Sequence, residues 1–80
     1  MSNIEKLKNT FCESLSLKIE NVTDSLAYGG QGWDSVAHMS LVAAIEDAFD
    51  IMIDTQDVID MSSFAKAKEI VSKYEIDFNS

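Results

Sequence analysis

Apolar residues recur at spacings of three and four in separate stretches of the chain, and each stretch predicts a helix. From Ser2 to Leu15 the stripe is Ile4, Leu7, Phe11 and Leu15, with Glu5, Lys6, Lys8, Asn9 and Glu13 on the other side. That is the pattern of an amphipathic helix over residues 2–15, with Ser2 or Asn3 placed to cap it. Residues 16–34 lose the period and read as a long loop, pinned by Leu17, Ile19, Val22 and Leu26. Proline is absent and all three glycines fall in Gly29-Gly30-Gln31-Gly32, the one strong breaker in the chain. Residues 36–50 contain neither glycine nor proline and predict the longest helix. Its core stripe is Leu41, Val42, Ile45 and Phe49; its other face carries Val36, Met39, Ser40, Ala43, Glu46 and Asp47.

Two shorter elements follow. Residues 55–61 form a turn or two of helix with Val58 and Met61 three apart. Residues 63–74, opened by Ser62 or Ser63 as a cap, carry Phe64, Ala67, Ile70, Val71 and Tyr74 on one stripe. Ile51-Met52-Ile53 is a short apolar run, but no period-two alternation lasts long enough for a strand. The tail from Glu75 to Ser80 is expected to fray. The pattern predicts an all-α fold: a four-helix bundle over residues 1–80, one domain, with a short third helix and a long loop between helices 1 and 2.

Composition narrows the function. A chain of 80 residues buries only ~60% of its unfolded surface, yet 46% hydrophobic content suffices for a packed core. Fourteen acids against six bases give a net charge of −8. Nucleic acid and anionic membrane surfaces are poor partners for such a protein, because both require a basic footprint. No apolar run is long enough for membrane insertion, and no signal peptide is recognisable at the start. The single Cys12 has no partner for an internal disulfide, which fits a cytoplasmic, reducing compartment. It lies about a quarter turn off the first apolar stripe and reads as a half-buried small hydrophobe.

The charge is unevenly spread. From Ile19 to Ala65 there is no Lys or Arg, while the same 47 residues hold Glu20, Asp24, Asp34, Glu46, Asp47, Asp50, Asp54, Asp57 and Asp60. Such a stretch is either a solvated face or a docking surface for basic partners. The later acids lack the alternate spacing and sixth-position glycine of a calcium loop, so no metal site is expected.

Two Asp-Ser pairs occur, Asp24-Ser25 and Asp34-Ser35. Only Ser35 opens a long helix, where unpaired amides and the positive dipole end favour an attached phosphodiester. The plainer alternative is that Asp34 or Ser35 is an N-cap. His38, three residues on, shares a helical face with Ser35, but nothing supplies an oxyanion hole, so no catalytic residue is assigned. It reads as exposed polar surface. Trp33 reads as packing the loop onto the helix. Met39, Met52 and Met61 read as core filler, with the lining of an adaptable cavity as the alternative.

Asp34-Ser35-Val36, followed by Ala44-Ile45-Glu46-Asp47-Ala48-Phe49, resembles the acyl carrier protein family. That family opens its second helix with Asp-Ser-Leu and closes it with Leu-Glu-Glu-x-Phe. Val36 stands here for the usual Leu, and Ser40 for an acid common in mid-helix. The likeness runs on through Ile51, Ile53 and Asp57 into Met61-Ser62-Ser63-Phe64. It implies that Ser35 carries 4′-phosphopantetheine, added from coenzyme A by a phosphopantetheinyl transferase that recognises Asp34. The arm's thiol would hold an acyl group as a thioester, and the protein would be a monomeric carrier, not an enzyme. Val36, Met39, Ala43, Glu46, Asp47 and Met61 map onto the face shown to acyl-loading and acyl-transferring enzymes with basic docking patches. Trp33-Asp34-Ser35-Val36-Ala37-His38 resembles specialised discrete carriers of fatty-acid, polyketide or surface-polysaccharide pathways. Peptidyl carriers place Gly-Gly two or three residues before the serine, and Gly29-Gly30 lies too far upstream. An aminoacyl carrier, or an acidic helical interaction module without a prosthetic group, is the alternative.

Overall fold

The computed structural model describes residues 2–30, 32–76 and 78. Among them the chain forms four α-helices and one 3₁₀ turn, with no strand. Helix α1 spans Asn3–Leu15, α2 Ser35–Phe49, α3 Thr55–Asp60 and α4 Phe64–Ser72, while the 3₁₀ turn covers Ile19–Asn21. The all-helical architecture, with a long loop before α2 and a short third helix, is the one predicted.

Three of the four helices begin where a side-chain oxygen accepts a first-turn amide; α3, after Asp54, has no such cap. Ser2 caps α1 through the Glu5 amide, Asp34 caps α2 through the Ala37 amide, and Ser63 caps α4 through the Lys66 amide. Helices α1 and α2 end on left-handed residues, Ser16 (φ 56°) and Asp50 (φ 54°), whose amides turn back to Cys12 and Glu46 carbonyls. Helix α4 stops at Ser72, two residues earlier than the periodicity predicts. There the Lys73, Tyr74 and Glu75 amides tighten onto carbonyls three residues back instead of four.

The core is built from the predicted stripes. Leu7, Phe11 and Leu15 of α1 are buried with Leu41, Val42, Ile45 and Phe49 of α2 and Phe64, Ala67, Ile70 and Val71 of α4. Phe11 is its centre, meeting Trp33 edge-on at 5.4 Å and Phe64 at 5.0 Å. In the loop Val22 and Leu26 are buried and Leu17 is half-buried, but Ile19 is not an anchor. The 3₁₀ turn holds Ile19 half-exposed. Methionine roles also divide: Met61 is core, whereas Met39 and Met52 are exposed and fill nothing. The expected fraying of the tail is corrected at Ile76 and Phe78, which pack against the core, Phe78 edge-on to Phe49 at 6.2 Å. Asp77, Asn79 and Ser80 lie outside the described residues.

Two polar clusters tie the connections down. The Tyr28 amide donates to the Ser62 carbonyl and the Phe64 amide to the Leu26 carbonyl, both at 2.9 Å, forming an isolated antiparallel bridge at Ala27 and Ser63. The loop is thereby stitched to the start of α4. Asp57, buried in α3, accepts from Lys73 Nζ and from the Tyr74 hydroxyl, each at 2.6 Å, and the Tyr74 oxygen accepts the Asp54 amide at 3.0 Å. These bonds, Lys73 first and Tyr74 second, hold the Asp57 carboxyl below the usual carboxylate range. The bond to Asp57 likewise pushes Lys73 up. At Tyr74 the Asp54 amide favours the ionised form, but the Asp57 bond and burial outweigh it and raise the phenol.

Three consequences are measurable. Phe11→Ala removes the centre of the core and should lower the unfolding free energy by ~3–5 kcal/mol in denaturant titrations, a loss under ~1 kcal/mol contradicting this packing. Because the Asp57 value is lowered on folding, its contribution is present above about pH 4 and lost as pH falls through the folded value. Lys73, being raised, contributes below about pH 10.5 and loses this as pH rises through its folded value. The melting-temperature gap between wild type and Asp57→Asn should therefore be widest from about pH 5 to 9 and shrink steadily as pH falls below about 4. A gap of constant size in acid would show that the Asp57 charge is not the tie. Glu46→Ala strips the acceptor from the Ile53 amide (2.8 Å) and should destabilise by ~1–2 kcal/mol. Asp47→Ala, on exposed surface, should stay within ~0.5 kcal/mol, and equal effects at the two sites would refute the distinction.

Candidate functional site

The segment before α2 is shaped by its glycines and by Trp33. Gly29 (φ 94°) and Gly32 (φ 81°) take backbone conformations that side chains rarely adopt. They fold the loop so that the Gly29 amide donates to the Trp33 carbonyl at 2.9 Å and the Trp33 amide to the Gly30 carbonyl at 3.0 Å. The Trp33 ring is buried, as its reading as a packing residue expects. With the loop closed on that ring, the next two residues are fixed in position. Asp34 Oδ1 accepts the Ala37 amide at 2.8 Å, so Asp34 is the N-cap. Ser35 is the first residue of α2 and is exposed. Because Asp34 does the capping, the Ser35 hydroxyl is not used by the helix.

Ser25 is placed differently. Its hydroxyl pairs with Thr23 Oγ1 at 2.9 Å within a turn, and no helix starts from it.

Beside Ser35 lies an open groove of about 380 Å³ between the head of α2 and α3. Tyr28, Met39, Val58, Ile59 and Met61 supply apolar walls, and Ser35, His38 and Ser62 supply the polar atoms. No charged side chain lines it. Met39 (62% exposed) and Ile59 (69%) line the groove from outside the core, and Val36 (77%), next to the serine in sequence, is exposed as well. Phosphopantetheine fits these residues. An exposed hydroxyl stands at a helix N-terminus, where the first amides have no intrahelical acceptor and the dipole end is positive. An apolar furrow runs from it.

The residues expected to form the partner face separate. Val36, Met39, Ala43 and Asp47 are exposed on α2. Met61 is 1% exposed and forms part of the groove's buried lining, so it is not a surface contact. Glu46 is half-buried and its carboxylate accepts the Ile53 amide, so it holds the turn after α2. Of the nine acids in the lysine-free stretch, Asp24 pairs with Lys68 at 2.6 Å and Asp57 with Lys73 at 2.6 Å. Asp47, Asp50, Asp54 and Asp60 stay exposed.

His38 is not the exposed polar residue that its helical position predicts. It is half-buried, and both ring nitrogens are engaged: Nδ1 with the Trp33 indole at 2.9 Å and Nε2 with the Val58 carbonyl at 2.8 Å. Neither nitrogen serves Ser35, so the pair is not a nucleophile and base. Nothing within the sequence period identifies this role, because Val58 lies twenty residues away. Burial pushes the Cys12 thiol up, against the backbone bond that lowers it, so Cys12 stays protonated and a poor nucleophile. No helix among the described residues is long and apolar enough to cross a membrane.

Comparison with known families adds one finding. The model of a family described as "Phosphopantetheine attachment site" matches residues 5–71, from the first helix to the last. Carrier domains of this kind bear a covalent 4′-phosphopantetheine group and work with a phosphopantetheinyl transferase and partner enzymes. Most of the chain is covered by the match. The chain belongs to the phosphopantetheine attachment family, whose carrier domains are not themselves enzymes.

Proposed function

We propose that Ser35 is the residue to which phosphopantetheine is attached, and that the protein carries acyl groups. The observation that carries the first statement is the division of labour at the head of α2. Asp34 satisfies the Ala37 amide, and the neighbouring Ser35 hydroxyl stands exposed at the positive end of the helix beside the groove. The family match spans both Asp-Ser pairs, so geometry has to choose between them. Ser25 opens no helix, and the pocket nearest it, against Thr23 and Asp24, is walled by Lys8 and Lys68 and is not lined by Ser25.

The acyl reading rests on the groove lining. Val58, Ile59 and Met61 on one side and Met39 on the other offer an apolar cargo a surface to leave water for. They offer an aminoacyl ammonium no carboxylate. When attached, the arm supplies a thiol that holds the cargo as a thioester. The chain's own residues do the rest. Asp34 holds the first turn of α2, the helix end stabilises negative charge at Ser35, and Val36, Met39 and Ile59 present exposed apolar side chains. Asp47, Asp50, Asp54 and Asp60 are the exposed acids toward which basic-surfaced enzymes are steered.

Intact mass after incubation with coenzyme A and a promiscuous phosphopantetheinyl transferase tests the assignment. Wild type and Ser25→Ala should each gain one phosphopantetheine, while Ser35→Ala should gain none and keep its melting temperature within a few degrees. Loading that survives in Ser35→Ala, or is lost in Ser25→Ala, contradicts it.

A further inference from the structure

The hydrogen-bonded row Trp33–His38–Val58 lies beside the groove without bonding Ser35. The indole nitrogen only donates, so its bond to His38 makes Nδ1 the acceptor. The proton of the neutral ring then sits on Nε2 and is donated to the Val58 carbonyl. That carbonyl belongs to the last turn of α3. In a continuing helix it would accept the Ser62 amide, but that amide turns to the Asp60 carbonyl at 2.8 Å. A side chain of α2 thus satisfies an orphan carbonyl at the end of α3. The ring is held from two sides, stacked on Trp33 at 5.9 Å and edge-on to Tyr28 at 5.7 Å. The His38 amide also makes the first backbone bond of α2, to the Asp34 carbonyl at 2.8 Å.

Helix α3 has six residues, too few to be stable alone. Asp57 ties it to the end of α4. Among the described residues, the hydrogen bond joining α3 to α2 is the one from His38. Those two helices form opposite walls of the groove, with Val58 and Ile59 facing Ser35 and Met39. The width of the groove beside the serine therefore depends on this bond.

We propose that His38 is a positioning residue: as the Nε2–H tautomer it fastens α3 to the first turn of α2 and sets the width of the groove beside Ser35. The part concerning arm transfer rests on Ser35 being the attachment residue; the part concerning α3 does not. His38→Phe keeps a ring but removes both bonds, and His38→Gln keeps an amide N–H in reach of Val58. Amide hydrogen exchange on the unloaded protein should show Val58, Ile59 and Asp60 exchanging at least about tenfold faster in His38→Phe, with the Leu41–Phe49 amides unchanged. Nitrogen-15 spectra of wild type should show His38 protonated at Nε2 and bare at Nδ1. In arm transfer, KM for His38→Phe should rise about tenfold with kcat within about twofold, and His38→Gln should recover most of the loss. Unchanged α3 exchange, the opposite tautomer, or protection lost equally in every helix without rescue by Gln would each overturn the proposal. Since exchange and tautomer are read without the arm, they decide the latch even if Ser35 proves not to be loaded.

Discussion

The burial of the Trp33 ring is the constraint on which the rest of this structure depends. One side chain meets Phe11 of α1 edge-on, stacks on His38 of α2, and closes the glycine turn through its own amide and carbonyl. Burying a ring of that size supplies a few kcal/mol of apolar transfer free energy, enough to fix a long connection with few other anchors. Asp34 and Ser35 follow it directly, so the geometry of the serine is set by the core. The outcome is an exposed hydroxyl on a rigid support, which suits a residue that a second enzyme must find and modify.

Polarity is distributed to match. The buried polar side chains Thr10 and Asp57 are bonded, Thr10 to the Lys6 carbonyl and Asp57 to Lys73 and Tyr74. The groove beside the serine is apolar where a cargo would lie, and acids stand outside it where partners would approach. Helix α3 is held through two consecutive residues by different chemistry, Asp57 by a charged tie beyond the end of α4 and Val58 by an imidazole bond from α2. A short helix fastened in this way can open locally without disturbing the α1–α2–α4 core.

Much of the fold was legible in the sequence because helical burial is local arithmetic. The stripe Leu41, Val42, Ile45 and Phe49 is buried as the period predicts, and so are Phe64, Ala67, Ile70 and Val71. The Asp-Ser pair at a helix start, after a run of glycines, was legible for the same reason. What escaped depends on residues distant in sequence. His38 looks exposed on a helical wheel until a carbonyl twenty residues later comes to meet it. Glu46 looks like surface until the chain turns back and presents the Ile53 amide. Met61 reads both as core filler and as partner surface, and burial at 1% exposure keeps only the first; Ile19 has an anchor's composition, but the 3₁₀ turn leaves it half-exposed.

Locating the attached group on the wild-type chain tests the central claim most directly. Trypsin leaves both Asp-Ser pairs in one peptide, because no Lys or Arg lies between Ile19 and Ala65. Cleavage at acidic residues separates them. After transfer from coenzyme A, fragmentation mass spectrometry of those peptides should place a single phosphopantetheine on Ser35 and leave Ser25 bare. A group found on Ser25, or a chain that takes up none, would contradict the account.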